Sequence, residues 1–386
     1  MINLADGTNS ISELQKLAEW IKTDPRLTIG NFTTEFEKKW SEWQGCNYSV
    51  FVNSGSSANL LMYYTLICNG ILQSSHDDIV IVPVVSWATT VSPLIQFGVK
   101  VILCDCNLEN FGLDISHLKQ LIQKYGKRIK AIVVCHVLGF PNDMDEIIEI
   151  CNSENIILLE DSCESIGSTY NNIKTGNFGK ISTFSFFYGH HISTIEGGMV
   201  CTNDWNLYQI IKSLRAHGWD RNNDNKETMR EENGIDDFHA PYTFYLPGFN
   251  LRATEIQAFL GVEQMEKIDD YITIRNHNLF YYDKNIKTKN KVLLKNNCFY
   301  SNFAYPLIVD DANMLYQKLK ENEIDSRPII CGSISEQPFW KVYSNENLLL
   351  KNARMVHSNG IYLPNHQNLK EDDLKKIVSV VNEVIE

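Results

Sequence analysis

Short apolar runs alternate with amphipathic stretches from about residue 48 onward. YSVFVN leads into SSANLLMYYTLIC, DIVIVPVVS into TTVSPLIQFG, KVILCD into ISHLKQLIQKYG, and KAIVVCHVLG into MDEIIEICNSEN, after which comes IILLED. The first member of each pair is apolar at successive positions, which predicts a strand covered on both faces. Alternation of such strands with helical segments predicts an α/β fold with a mostly parallel sheet and helices on each side. TFSFF and MVCTN add two later strands, and WNLYQIIKSLRAHG another helix. Residues 222–240 are polar and charged without periodicity and read as an exposed loop. ATEIQAFLGVEQMEKIDDYITIRNHNLFYYDKNI reads as one long helix, and EDDLKKIVSVVNEVIE as a closing amphipathic one. The expected organisation is a large domain over 1–252 with an N-terminal helix, a connecting helix over 253–285, and a smaller α+β domain over 286–386. No Pro/Gly-rich linker separates them, so they are expected to pack as one unit.

Composition narrows the partners. The chain has 386 residues, 44% hydrophobic and 21% charged, as an ordinary globular protein does. Thirty-five basic residues against 47 acidic ones leave a net charge of −12, which argues against a nucleic-acid partner. Ile79–Val99 carries no charge over 21 residues, enough to cross a bilayer, but Pro83, Pro93 and several hydroxyl residues break it into strand, loop and short helix. No membrane span is therefore expected. The first residues have neither a basic region nor an apolar core, and the ten cysteines form no CxxC pair, so reduced thiols and a cytoplasmic location are expected.

Ligands of open α/β sheets bind beyond the carboxyl ends of the strands. Three predicted strand ends carry polar groups: Ser54-Gly55-Ser56, Ser86-Trp87 and Glu160-Asp161. The small-residue turn Asn53–Asn59 enters a helix, whose N-terminus suits an anion such as phosphate; a plain capped helix start reads the same way. Asp161 ends an apolar strand and needs a partner, either a protonated ring nitrogen of a cofactor or the N–H groups of the next turn. Trp87 is suited to stacking on a ring or to a place in the core.

In this order, SGSSAN, VPVVSW, LLEDSCES, TFSFF, EGGMV, RAHGWDRN, LPGFNLR and LPNHQNL resemble the PLP-dependent sugar-nucleotide aminotransferases of the StrS/DegT group, fold type I, over about residues 10–386. The resemblance implies a homodimer with active sites at the subunit interface and a nucleotide-sugar substrate with a 4-keto group. It implies that Gly55 and Ser56 offer N–H groups, and Ser185 its hydroxyl, to the phosphate of pyridoxal 5′-phosphate. Asp161 would hold the ring-nitrogen proton, Trp87 would stack on the ring, and Asn250 would reach the phosphate from the other subunit. His217, Arg221, Arg252 and Arg327 resemble positions near the site, where they would bind substrate, and His366 resembles another position near it. Glu164 stands where the family usually has a glutamine near the ring hydroxyl.

One departure decides the chemistry. The aminotransferases place the cofactor-binding lysine five residues after the serine of the TFSFF strand, and here that residue is His190, followed by His191. No lysine lies between Lys180 and Lys212. Two dehydratase branches of the family share this histidine. One needs an iron–sulfur cluster on three downstream cysteines, but after the motif only the scattered Cys201, Cys298 and Cys331 follow, so no cluster is expected. The other removes the C3 hydroxyl of a nucleotide-linked 4-keto-6-deoxy sugar, GDP being the nucleotide favoured by overall resemblance, with glutamate converting pyridoxal phosphate to pyridoxamine phosphate. The resemblance thus implies a 3-dehydratase with His190 as catalytic base and acid, its pKa expected near 6.5, and His191 as the competitor. The alternatives are a sugar-nucleotide 4-aminotransferase and a catalytically inactive family member.

Overall fold

The computed structural model describes residues 1–74, 77–344 and 348–385. In chain order the strands are β1 (Tyr48–Val52), β2 (Ile79–Pro83), β3 (Lys100–Cys104), β4 (Ile129–Cys135), β5 (Ile157–Asp161), the short β6 (Thr169–Tyr170) and β7 (Ile173–Lys174), β8 (Ile181–Ser185), β9 (Gly198–Thr202), the short β10 (Cys298–Phe299), β11 (Tyr305–Ile308), β12 (Arg327–Pro328) and β13 (Gly360–Leu363). Seven of them form one sheet in the order β1-β9-β8-β5-β4-β2-β3. Strands β3, β2, β4, β5 and β8 are mutually parallel, and β9 runs antiparallel between β8 and β1. The carboxyl ends of β1, β2, β5 and β8 therefore share one edge, where a ligand of such a sheet binds.

Pleating explains the uninterrupted apolar runs. Val80 and Val82 of β2 pack in the cluster that holds Leu61 and Met62, whereas Ile79 and Ile81 pack with Leu118 and Ile147 on the opposite face. Val133 of β4 joins the first cluster, and Ile132 and Val134 the second. Both faces are covered, as the parallel sheet requires. Two three-stranded sheets complete the fold: β10-β6-β7, and β11-β13-β12 in the C-terminal third, where β13 is antiparallel to both neighbours.

Three segments show how the expectations fared. Over 222–240 the expected loop contains a helix, Lys226–Asn233, with no buried residue. A helix without an apolar stripe gives no periodic signal. Arg230 Nε donates to the buried Asp220 Oδ2 at 2.6 Å and Gly234, at φ 63°, ends it. The expected single long helix is two, Glu255–Met265 and Ile268–Asn285. The first packs on helix Asn31–Gln44 and the second on helix Glu371–Ile385. At the break Lys267 leaves helical geometry (φ −115°, ψ −5°), and its ammonium is held 2.7 Å from Glu13 Oε1. The uncharged stretch after β2 breaks as expected, into a single turn and the short helix Ser92–Gln96. Among the described residues no helix is long and apolar enough to cross a membrane.

Candidate active site

Helix Gly55–Cys68 starts at the carboxyl end of β1. Ser54 caps it in extended geometry, its Oγ accepting from Ser57 N at 3.0 Å while its carbonyl accepts from Ala58 N. Such a cap stabilises a helix by about 1 kcal/mol. The N–H groups of Gly55 and Ser56 stand ahead of those bonds, at the positive end of the helix. Glycine is required at 55 by contact: a Cβ there would lie 2.6 Å from Ser185 Cβ and 2.9 Å from Ser185 Oγ. The last residue of β8 is thus pressed against the start of the helix. Ser56 Oγ pairs with Thr89 Oγ1 at 3.1 Å across the same edge.

Asp161 closes β5 and is buried. Its Oδ2 accepts from Asn59 Nδ2 at 2.8 Å and Thr90 Oγ1 at 2.7 Å, while Oδ1 accepts from Cys163 N at 3.2 Å. It caps the next turn, as one reading expected, and its carboxylate lines the cavity. Glu160, one residue earlier, belongs elsewhere. It faces away, accepting from the N–H groups of Gly176, Phe178 and Gly179 and pairing with His136 Nε2 at 3.1 Å.

Between these elements lies a cavity of about 480 Å³. The helix start, Ser185 and Asp161 form its floor, Trp87 stands exposed beside it, and Glu164, His190 and Arg327 complete the ring of expected residues. Glu164 Oε2 accepts from Leu138 N at 2.7 Å. Burial, together with the Asp161 charge and against that hydrogen bond, pushes its carboxyl up to about 8, so at neutral pH it is an un-ionised acid.

His190 lies in the loop after β8, with its ring 5.1 Å from that of Phe303. Its Nδ1 is shut off from solvent without a partner, leaving Nε2 as the nitrogen open to the cavity. Burial and then the Arg275 guanidinium push the imidazole down to about 3, the Cys163 backbone working the other way. The expected value near 6.5 is therefore corrected. In this cavity the ring is a neutral base throughout the physiological range, and once protonated it gives its proton up more readily than an exposed histidine does. His191 points away from the cavity and its Nε2 donates to the Ser301 carbonyl at 2.8 Å.

The remaining expected residues are not in the cavity of their own chain. Asn250 is exposed and accepts from Arg252 Nε at 2.9 Å, and Arg252 lies 3.4 Å from His217 Nε2. Arg221 donates to the Pro241 carbonyl and lies over the Trp219 ring at 3.9 Å. His366 is buried against the Asn3 carbonyl. Sequence reasoning missed Phe303, Ile330 and Tyr362, which close the cavity from the C-terminal third, and Glu196 at its lip. Glu196 stood inside a quoted motif. The other three carried no local signal. Among the described residues no group of three or more His, Cys, Asp or Glu side chains is placed to hold a metal ion.

Residues 9–382 match the model of the DegT/DnrJ/EryC1/StrS aminotransferase family. The chain is 34% identical to GDP-4-keto-6-deoxy-D-mannose 3-dehydratase of Escherichia coli O55:H7, over 95% of this chain and 96% of that protein. It is 29% identical to GDP-perosamine synthase of Caulobacter vibrioides, over 97% and 95% of the two chains. A crystal structure of GDP-4-keto-6-deoxymannose-3-dehydratase with a trapped PLP-glutamate geminal diamine superposes with a TM-score of 0.90 at 33% identity, covering 99% of this chain and all of that one.

Proposed function

The chain belongs to the DegT/DnrJ/EryC1/StrS aminotransferase family, and on that premise we propose that it is a PLP/PMP-dependent 3-dehydratase of nucleotide-linked 4-keto-6-deoxy sugars. GDP-4-keto-6-deoxymannose is the proposed substrate, L-glutamate the amine donor, and 3,6-dideoxy sugar synthesis of the kind used in lipopolysaccharide O-antigens the role. One observation carries the reading: a neutral histidine, and no lysine, faces the cavity among the described residues.

The cavity fits the cofactor. The side-chain-free approach at Gly55, tight against Ser185, is a cradle for a phosphate at a helix N-terminus. The Asp161 carboxylate, lining the cavity, suits a protonated ring nitrogen, exposed Trp87 offers an aromatic face, and un-ionised Glu164 can donate to a ring oxygen. Bound there, pyridoxamine phosphate would supply a primary amine for the sugar ketone and a ring that accepts electron density.

What the chain itself does is move protons. His190 Nε2 would take a proton from the aminomethyl carbon of the bound cofactor and deliver it to the C3 hydroxyl, which would depart as water. The deoxygenation needs two electrons, and glutamate provides them by leaving as 2-oxoglutarate and ammonia. We further propose a cytoplasmic homodimer in which Asn250, Arg252, His217 and Arg221 serve the partner's cavity. Their placement outside their own cavity supports this, as do the exposed apolar side chains of Trp87, Phe187 and Tyr188.

Incubation with PLP, glutamate and GDP-4-keto-6-deoxymannose, read by product mass, tests the function. Loss of one oxygen from the sugar is expected. Gain of an amine would make the protein a 4-aminotransferase, and an unchanged sugar would make it inactive on this substrate.

A further inference from the structure

We propose that Arg275 is a positioning residue for the histidine base, fixing the His190 loop and the segment that packs on its ring from a single buried guanidinium. The inference rests on the reading of His190 as the base. Arg275 lies on helix Ile268–Asn285 and is 1% exposed. Its NH2 group approaches the His190 carbonyl at 3.5 Å. Its NH1 group donates to the carbonyls of Asn302 at 3.2 Å, Phe303 at 3.1 Å, and Asn365. One fork thus ties together the loop after β8, the segment before β11 and the turn after β13.

The segment before β11 is the other wall of His190. Phe303 contributes the ring against the imidazole, and the neighbouring Ser301 carbonyl holds His191. Leu138 receives the same segment, its carbonyl accepting from Phe303 N and Asn302 Nδ2, while its own N–H holds Glu164. Arg275 is therefore one bond from the backbone of His190 and one bond from the backbone of Phe303, whose ring packs on the imidazole.

Charge supports the same assignment. Among the described residues no carboxylate pairs with Arg275, and its Nε has no partner. A buried guanidinium served only by carbonyls is costly, as burial pushing its own pKa down to about 9 shows. Its field falls on three histidines, His190, His191 and His366, each of which it helps keep neutral. Around His190, among the described residues, the other titratable or charged groups are His191, Cys163 and, across the cavity, Cys135, Asp161, Glu164, Glu196, Arg327 and Tyr362.

The test compares Arg275→Gln, which removes the charge and the fork, with Arg275→Lys, which keeps only the charge. Two quantities are read. One is the His190 protonation midpoint in the cofactor-free protein, by NMR of labelled histidine. The other is single-turnover formation of 2-oxoglutarate from PLP and glutamate. In Arg275→Gln the midpoint should rise by at least one pH unit and the rate fall at least tenfold. Arg275→Lys should keep a low midpoint but lose rate. A folded Gln variant with wild-type midpoint and rate, or a Lys variant with wild-type rate, would overturn the proposal. So would failure of both variants to fold, because the arginine would then serve only the fold. Neither readout involves the sugar, so failure to dehydrate GDP-4-keto-6-deoxymannose would count against the substrate and leave this inference standing.

Discussion

His190→Asn separates chemistry from folding more cleanly than any other change in the cavity. Nδ1 of His190 is buried without a partner and the ring lines the cavity, so beyond the contact with the Cys163 backbone the substitution disturbs little of the fold. What it trims is packing against Phe303, for which about 1 kcal/mol is a typical loss. The chemical loss is larger. A positioned base and acid contributes about 10²- to 10⁴-fold, equal to about 2.7–5.5 kcal/mol of barrier at 1.36 kcal/mol per tenfold. His191→Asn should show the opposite signature. It removes the donor to the buried Ser301 carbonyl, a destabilisation of about 1–3 kcal/mol, while leaving the cavity base in place. The assay is single-turnover dehydration of the sugar nucleotide with PLP and glutamate, read by product mass, beside thermal unfolding of each variant. His190→Asn should bind cofactor, melt within a few degrees of wild type and fail to eliminate water. Near-wild-type dehydration by His190→Asn, with an inert His191→Asn, would refute the assignment and make His191 the base.

Other positions offer independent checks. Gly55→Ala places a Cβ 2.6 Å from Ser185 Cβ, so PLP affinity by equilibrium dialysis should fall about tenfold or more, a loss of at least about 1.4 kcal/mol; unchanged affinity would remove the phosphate cradle. His190→Lys, treated with borohydride in the presence of PLP, should give a pyridoxyl-lysine peptide at residue 190 that wild type lacks, with dehydration down by about 10²-fold or more. Glu164 has its proton held in the fold up to about pH 8, whereas an unfolded glutamate ionises near 4.5, so its contribution to stability falls as pH rises between those values. Glu164→Gln should therefore melt progressively higher than wild type from pH 5 to pH 8, and a pH-independent difference would contradict the buried un-ionised acid. Sedimentation should find a dimer at assay concentration; an active monomer would end the idea that Asn250 serves a second subunit.

The parts of the molecule that were legible in the sequence are those in which burial is local. The β2 run is apolar at every position because both of its faces are covered, and that can be seen without knowing what covers them. Glu160 and Asp161 show where local reading stops. Both are carboxylates at the end of the same apolar run, yet pleating sends Glu160 to the 176–179 turn and Asp161 to the cavity. The break after Met265 was invisible for a related reason: all residues around it suit a helix, and the turn is imposed by two different packing partners and by Glu13, more than 250 residues away in the chain. Phe303, Tyr362 and Arg275 reach the site from parts of the chain without a motif, so only the assembled fold puts them beside His190.

Replacing the family's lysine by a histidine changes two things at once, and the surrounding residues answer both. A lysine holds the cofactor covalently; an imidazole cannot, so on the proposed reading retention falls to the Gly55–Ser56 helix start, Ser185, Asp161 and the face of Trp87. A lysine is also mostly protonated at neutral pH, with an ordinary pKa near 10.4, and needs a special environment to accept a proton. The histidine needs none, and burial beside Arg275 biases it further toward the neutral form. The consequence of that bias is a strong conjugate acid in a low-dielectric site, which passes its proton on readily. A leaving C3 hydroxyl is the nearest use for such a proton in the proposed reaction. A cavity arranged this way favours water loss over amine transfer, because the proton goes to the departing oxygen instead of returning to carbon.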